Sequence, residues 1–169
     1  MSKPIEGTFP PYFSKYINLV NEEGLAEAFK AQQNLIDTFF QNLPKEKHEY
    51  AYAEGKWTLK EMLQHIIDTE RIFNFRALCF ARKEMQNIPG FEENDYVANS
   101  HANDRSWESL CEELVMVRKS TLGLFNTFNE ADLLNSGSAN NKPVTVLALG
   151  FITIGHIYHH VNVAKERYL

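Results

Sequence analysis

From Leu25 to Phe39 apolar side chains return every three or four positions, at Leu25, Ala28, Phe29, Leu35, Ile36 and Phe39, with Gln32 interrupting. Such a period marks a helix with one buried face, and "LAEAFKAQQNLIDTFFQNL" is expected to stay helical until just before Pro44. A second periodic stretch opens on "WTLKEM", where Thr58 stands as N-cap and Glu61, three residues on, completes a capping box. Trp57 before that cap and Met62 beyond it are placed to form a hydrophobic staple. The helix continues through "LQHIIDTERIFNFRALCFARK", and its inner stripe carries three polar residues, His65, Thr69 and Arg76. A third helix is expected from Ser106, a plausible N-cap, through "WESLCEELVMVRKSTLGLFNTF", and a fourth after Thr145, a second N-cap candidate.

The segments between these helices are uneven. Residues 1–21 contain the Pro10-Pro11 pair and are expected to wrap the outside as an extended or irregular piece, or as a single turn. Residues 84–104 turn at Pro89-Gly90, and a connection of that length points to a functional loop or a short helix. "NEADLLNSGSANNKP" reads as a polar connection, and no strand series is evident. Four helices of about 20 residues, two with long connections between them, predict an all-α four-helix bundle occupying 1–169 as one domain.

A net charge of −5 argues against nucleic acid as the main partner, because phosphate binding needs a basic surface. The longest apolar run, "VTVLALGFITIG", falls short of the roughly 20 residues that span a bilayer, so no membrane partner is expected. With no basic-then-apolar opening, and with Cys79 and Cys111 far apart and outside any Cys-x-x-Cys pair, the protein is expected in the cytoplasm with both thiols reduced and packed.

The unusual chemistry lies in "GHIYHH", which holds His156, His159 and His160, half of the six histidines in the chain. Residues four apart lie about 40° from one another around a helix, so His156 and His160 share a face and have the spacing of two ligands to one ion. His156 and His159 are a geometric competitor, although His159 points toward the edge of the line formed by Leu149, Thr153, His156 and His160. A third ligand has to come from elsewhere. His48 lies in the charged turn "PKEKHEY" and is expected to face solvent, while His101 lies in the polar loop. His65 is different, because it occupies an apolar stripe where an unpaired imidazole is costly. Asp68, three residues on, is placed to fix a histidine tautomer or to order water at an ion. Spacing alone leaves two readings standing, a metal site or satisfied core histidines.

Three segments resemble the DinB superfamily of DinB/YfiT-like metal-binding proteins. "KWTLKEMLQHIIDTER" is similar to its Trp-(Thr/Ser)-x-x-(Glu/Asp)-x-x-x-His-x-x-Asp segment, "PGFEENDYV" to a loop of one branch, and "NNKPVTVLALGFITIGHIYHHVNVAKERYL" to its closing helix with His-x-x-x-His. The resemblance implies an up-down-down-up bundle, a three-histidine site at His65, His156 and His160, a divalent ion (nickel or zinc), and a homodimer. It further implies a thiol-dependent S-transferase that joins a low-molecular-weight thiol, such as bacillithiol or mycothiol, to an electrophile. Three neutral imidazoles leave open coordination positions, which suits catalysis more than structure. The alternatives are a metal-dependent hydrolase, with Asp68 or Glu70 as base, and a non-catalytic metal-binding or dimerisation module. Arg76 is a candidate for holding an anionic group, although a salt bridge is its ordinary expectation; Asp95 and Tyr96 are candidates for the mouth of a pocket, with surface turn the ordinary one.

Overall fold

The computed structural model describes residues 2–169, and three of its four long helices start where the sequence places their caps. A short α1, Ser14–Ile17, follows a 3-10 turn at Pro11–Phe13, and α2, Leu25–Thr38, continues into a second 3-10 turn at Phe40–Asn42. Helix α3, Leu59–Ala81, opens on the Thr58–Glu61 capping box, with both reciprocal hydrogen bonds made. The long connection contains α4, Glu93–Ala98. Helix α5, Trp107–Phe125, is capped by Ser106, whose hydroxyl accepts from the Ser109 N–H. After α6, Glu130–Leu134, strands β1, Ser136–Ala139, and β2, Lys142–Thr145, pair antiparallel. Thr145 then caps α7, Val146–Arg167, accepting from the Ala148 N–H.

Cross-helix contacts fix the directions. Arg105 meets Gln64, Arg118 meets Glu70 and Thr121 meets Asn74, so α3 and α5 run parallel. The Tyr168 hydroxyl donates to the Trp57 carbonyl, and His160 and His156 meet His65, so α7 runs antiparallel to α3. Gln32 donates to the Ile154 carbonyl and Lys165 lies over Phe39, so α2 follows α7. The path is therefore up-down-down-up, and a parallel α3–α5 pair requires a connection that returns along the bundle.

Apolar packing divides into two clusters along the bundle axis, one around Phe29, Phe73, Phe125 and Ile154 and the other around Ile36, Ile67, Leu114 and Ile157. A buried polar layer separates them: Gln32 on α2, His65, Thr69 and Glu70 on α3, Arg118 and Thr121 on α5, and His156 and His160 on α7. Each helix interrupts its apolar stripe at the same level. Helix α7 is long and apolar enough to cross a membrane by length and composition, but 78% of that apolar window is buried inside the bundle.

Three expectations are corrected. The N-terminal segment forms the single turn expected, α1, but is more than an outer wrap: Tyr16, Ile17 and Val20 are buried, and α1 docks on α7 where Gly155 allows backbone contact. A Cβ at Gly155 would fall 2.0 Å from the Tyr16 carbonyl oxygen, so only glycine permits this approach. The polar connection before α7 forms a hairpin, because Asn140 and Asn141 both take positive φ and give the tight turn that matches strand twist. His48 is buried and does not face solvent; its ring stacks on Trp107 at 4.2 Å and its Nε2 lies 3.1 Å from the Leu43 carbonyl.

Candidate metal centre

His65 from α3 and His156 and His160 from α7 converge in the polar layer, all three buried. The His156 Nε2 lies 3.1 Å from the His65 Nε2 and 3.0 Å from the His160 Nε2. Nitrogens bound to one ion at 2.0–2.1 Å, with angles between square and tetrahedral, are spaced by about 2.9–3.4 Å. The two spacings to His156 fall in that window, and all three ligand atoms lie within 4.8 Å of one another. Hydrogen bonding accounts for them less well, because a single N–H or a single lone pair on the His156 Nε2 satisfies one neighbour and not both. The donor set thus suits a divalent ion, with the protons moved to Nδ1.

The surroundings hold the rings. Trp57 lies 4.7 Å from the His65 ring, and Tyr16 and Phe73 meet His156 edge-on at 5.5 and 6.1 Å. The Thr69 hydroxyl stands 3.5 Å from the His65 Nδ1, and the His160 Nδ1 is buried without a partner among the described residues. Outer hydrogen bonds to the three histidines are therefore weak here, and packing does most of the orienting. His159 lies outside the cluster, its ring against Tyr16 and His160.

Burial keeps the three imidazoles neutral. Desolvation, and next the neighbouring His159, lowers the His65 pKa to about 4, and burial followed by the other imidazoles holds His156 and His160 well below their ordinary value. In the unfolded chain these groups titrate near 6.5. Below that pH the unfolded chain takes up protons that the folded one refuses, so stability falls with falling pH. The metal-free protein is expected to lose stability from pH 6.5 down toward 4, each histidine adding a slope of up to ~1.4 kcal/mol per pH unit. Urea midpoints measured across that range should be steeper for the wild type than for His65→Ala/His156→Ala/His160→Ala; equal slopes would contradict the assignment.

A cavity of about 320 Å³ leads to His156. Its walls are Tyr12, Phe13 and Tyr16 from the N-terminal segment, Phe73 from α3, and Phe91 after the Pro89-Gly90 turn. Its charged lining groups are Arg76, Glu93 and Lys142. Burial, and next the Tyr12 hydroxyl 3.4 Å away, pushes the Tyr16 phenol well above its ordinary range, so it stays protonated beside His156.

The other sequence candidates fall elsewhere. Asp68 accepts from Gln64 at 2.9 Å and pairs with Arg71, and makes no hydrogen bond to a histidine. Glu70 is bound by Arg118 and Thr121 on the α5 side of the layer. Arg76 forms no salt bridge among the described residues; its Nη2 donates to the Pro89 carbonyl at 3.1 Å. Of the loop pair, Tyr96 is exposed with its ring against Phe91, and Asp95 is exposed on α4. Burial and nearby glutamates push the Cys111 thiol up to about 12, and burial raises Cys79, so neither is a poised thiolate. Sequence reading missed the aromatic lining from "PPYFSKY"; its signal was three aromatic residues within five positions of a Pro-Pro segment.

Fold and cluster together define a class: an up-down-down-up four-helix bundle with three converging histidines, one of which, His156, lines a cavity. The chain belongs to the DinB superfamily, whose sequence profile matches residues 28–164. Among solved structures it is similar to YfiT from Bacillus subtilis, described as "a probable metal-dependent hydrolase with an unusual four-helix bundle topology". The two share 15% identity with a TM-score of 0.72, over 97% of this chain and 90% of that one, a likeness of fold. No curated protein matches.

Proposed function

We propose that this protein is a metal-dependent enzyme in which His65, His156 and His160 hold a divalent ion, nickel or zinc, and a small molecule reacts at the inner end of the cavity. The observation that carries this reading is the convergence of three neutral, buried Nε2 atoms beside a cavity wall. Such an ion is a Lewis acid that lowers the pKa of a thiol or water at its open positions. The chain supplies the rest. Tyr16 and Phe73 close the cavity around His156 and restrict water there, and the neutral Tyr16 phenol is a hydrogen-bond donor beside it. The aromatic walls orient an apolar reactant, and Arg76 and Lys142 give the cavity positive charge.

Thiol transfer is the favoured reaction, because both carboxylates nearest in sequence are committed elsewhere, Asp68 to Gln64 and Arg71 and Glu70 to Arg118. A free thiol has a pKa near 8.5, so an ion held by these histidines would suffice to deprotonate it without a general base, whereas activating water would be helped by one. Hydrolysis is the second reading, supported by the description of YfiT and by Glu93 in the cavity wall. The test is the zinc- or nickel-loaded protein with a chromogenic aryl halide plus cysteine, and separately with a nitrophenyl ester alone. Thiol-dependent conjugation that disappears with a chelator is the expected result. Ester turnover without thiol, and no conjugation, would replace it with the hydrolase reading; neither activity at full metal occupancy would favour a non-catalytic module.

A further inference from the structure

Four arginines of α3, α5 and the turn between them make side-chain hydrogen bonds or ion pairs, and one differs in kind. Arg118 is fixed by Glu70, and Arg71 and Arg105 both reach Glu113. Arg76 is as buried as a core residue, 6% exposed, yet has no carboxylate partner among the described residues. Its Nη2 donates to the Pro89 carbonyl, and its Nε is buried with no partner among the described residues. A guanidinium offers five donors in a fork matched to a carboxylate, so most of this group's hydrogen-bonding capacity is unused. It is also a wall of the cavity that ends at His156.

The position sets a length. Thr69, at the histidine end of the cavity, and Arg76 are seven residues apart on one face of α3, about 10 Å along the axis. Between the two ends the walls are aromatic, with Phe73 one turn from each and Tyr12, Phe13 and Phe91 facing the same space. Two cations, Arg76 and Lys142, stand against one carboxylate, Glu93, so the lining is net positive in a protein of net charge −5.

We infer that Arg76 is the carboxylate-binding residue of this cavity, and that the molecule handled at the histidine cluster is an elongated monoanion with its carboxylate roughly 10 Å from the reacting end. This rests on the proposed function for the word "reacting"; the carboxylate subsite itself needs no metal. The apolar middle of the ligand lies on the aromatic walls, and the planar carboxylate takes the free donors of the guanidinium in a charge-assisted pair. Pro89 keeps the guanidinium aimed, since its carbonyl occupies one Nη2 donor.

The experiment is titration of the metal-free full chain with 4-phenylbutanoate and with its neutral analogue 4-phenylbutanamide, in the wild type, Arg76→Gln, Arg76→Lys and Lys142→Gln. The wild type is expected to prefer the carboxylate by about tenfold or more. Arg76→Gln should remove that preference with the amide affinity unchanged, Arg76→Lys should retain part of it, and Lys142→Gln most of it. The unchanged amide affinity reports that the cavity is intact, so a folding defect in Arg76→Gln is recognised, and Arg76→Lys then carries the test. Equal wild-type affinities, a preference that survives Arg76→Gln, a preference lost in Lys142→Gln instead, or no binding of either probe at millimolar concentration would each overturn the inference. Because no metal is present, the two readings fail separately: a chain that takes up no zinc or nickel yet keeps the Arg76-dependent preference refutes the metal site alone.

Discussion

His156→Ala is expected to abolish metal-dependent stabilisation and activity together. The His156 Nε2 is the central atom of the cluster, within 3.1 Å of one partner and 3.0 Å of the other, so its loss leaves two nitrogens with no shared neighbour. Changing even an outer hydrogen-bond partner of a ligand typically lowers metal affinity by about 10–100-fold, and removing the central ligand should exceed that. A ligand at about a hundred times its dissociation constant stabilises the folded state by about 2.7 kcal/mol, which is roughly 5–10 °C in the midpoint for a chain of this size. Zinc or nickel should therefore raise the wild-type midpoint by that amount and leave His156→Ala where it was. Elemental analysis after dialysis should find about one ion per chain in the wild type and none in the variant. His159→Ala is the control, because its ring is adjacent to the cluster without belonging to it, and it should behave as the wild type. An unmoved wild-type midpoint, or an equal rise in His156→Ala, would return the three histidines to the status of core residues.

The same residues show how far the sequence could be read. His156 and His160 were legible because helical spacing is local: four residues fix two side chains on one face whatever the rest of the chain does. His65 was legible by contrast, as an imidazole in an apolar stripe. The bundle followed from four periodic segments, and Thr58, Ser106 and Thr145 mark three of the four starts where a capping hydroxyl meets an apolar run. What stayed hidden was tertiary. Asp68 lies three residues from His65, and spacing permits it to face either α7 or α5; its partners Gln64 and Arg71, themselves bound to Arg105 and Glu113, draw it to the α5 side. His48 reads as exposed because its neighbours are charged, and the ring it stacks on, Trp107, is remote in sequence. The hairpin was masked by strands of four residues rich in serine and glycine, although Asn140-Asn141 is a turn signal in its own right. The burial of Tyr16 depends on a hole in another helix, the missing Cβ of Gly155, which no local pattern displays.

The largest stability loss is expected from Glu70→Ala, on the far side of the polar layer. Glu70 and Arg118 are 2% and 1% exposed, and the guanidinium grips the carboxylate through two bonds of 2.9 Å, Nε to Oε1 and Nη2 to Oε2. The Thr121 hydroxyl donates to the same Oε1, and the Asn74 amide donates to that hydroxyl at 2.7 Å, so three helix positions depend on one carboxylate. Removing it leaves a buried guanidinium whose Nη1 already lacks a partner among the described residues and which lies over the Phe29 ring, 5.2 Å away. Breaking a buried pair in this way costs about 3–5 kcal/mol, a large fraction of what holds a domain of this size folded. The pair itself is a weaker source of stability than that figure implies, since desolvating two charges offsets much of their attraction. Glu70→Leu/Arg118→Met should consequently recover most of the loss, and urea unfolding of the four members of that cycle separates the two effects. A Glu70→Leu single variant within about 1 kcal/mol of the wild type would mean that water reaches Arg118 and that the layer is wet. Recovery in the double variant, with zinc uptake intact, would instead place the ion pair in the scaffold and leave the histidine side of the layer as the reactive one, as the separate partners of Glu70 and His65 require.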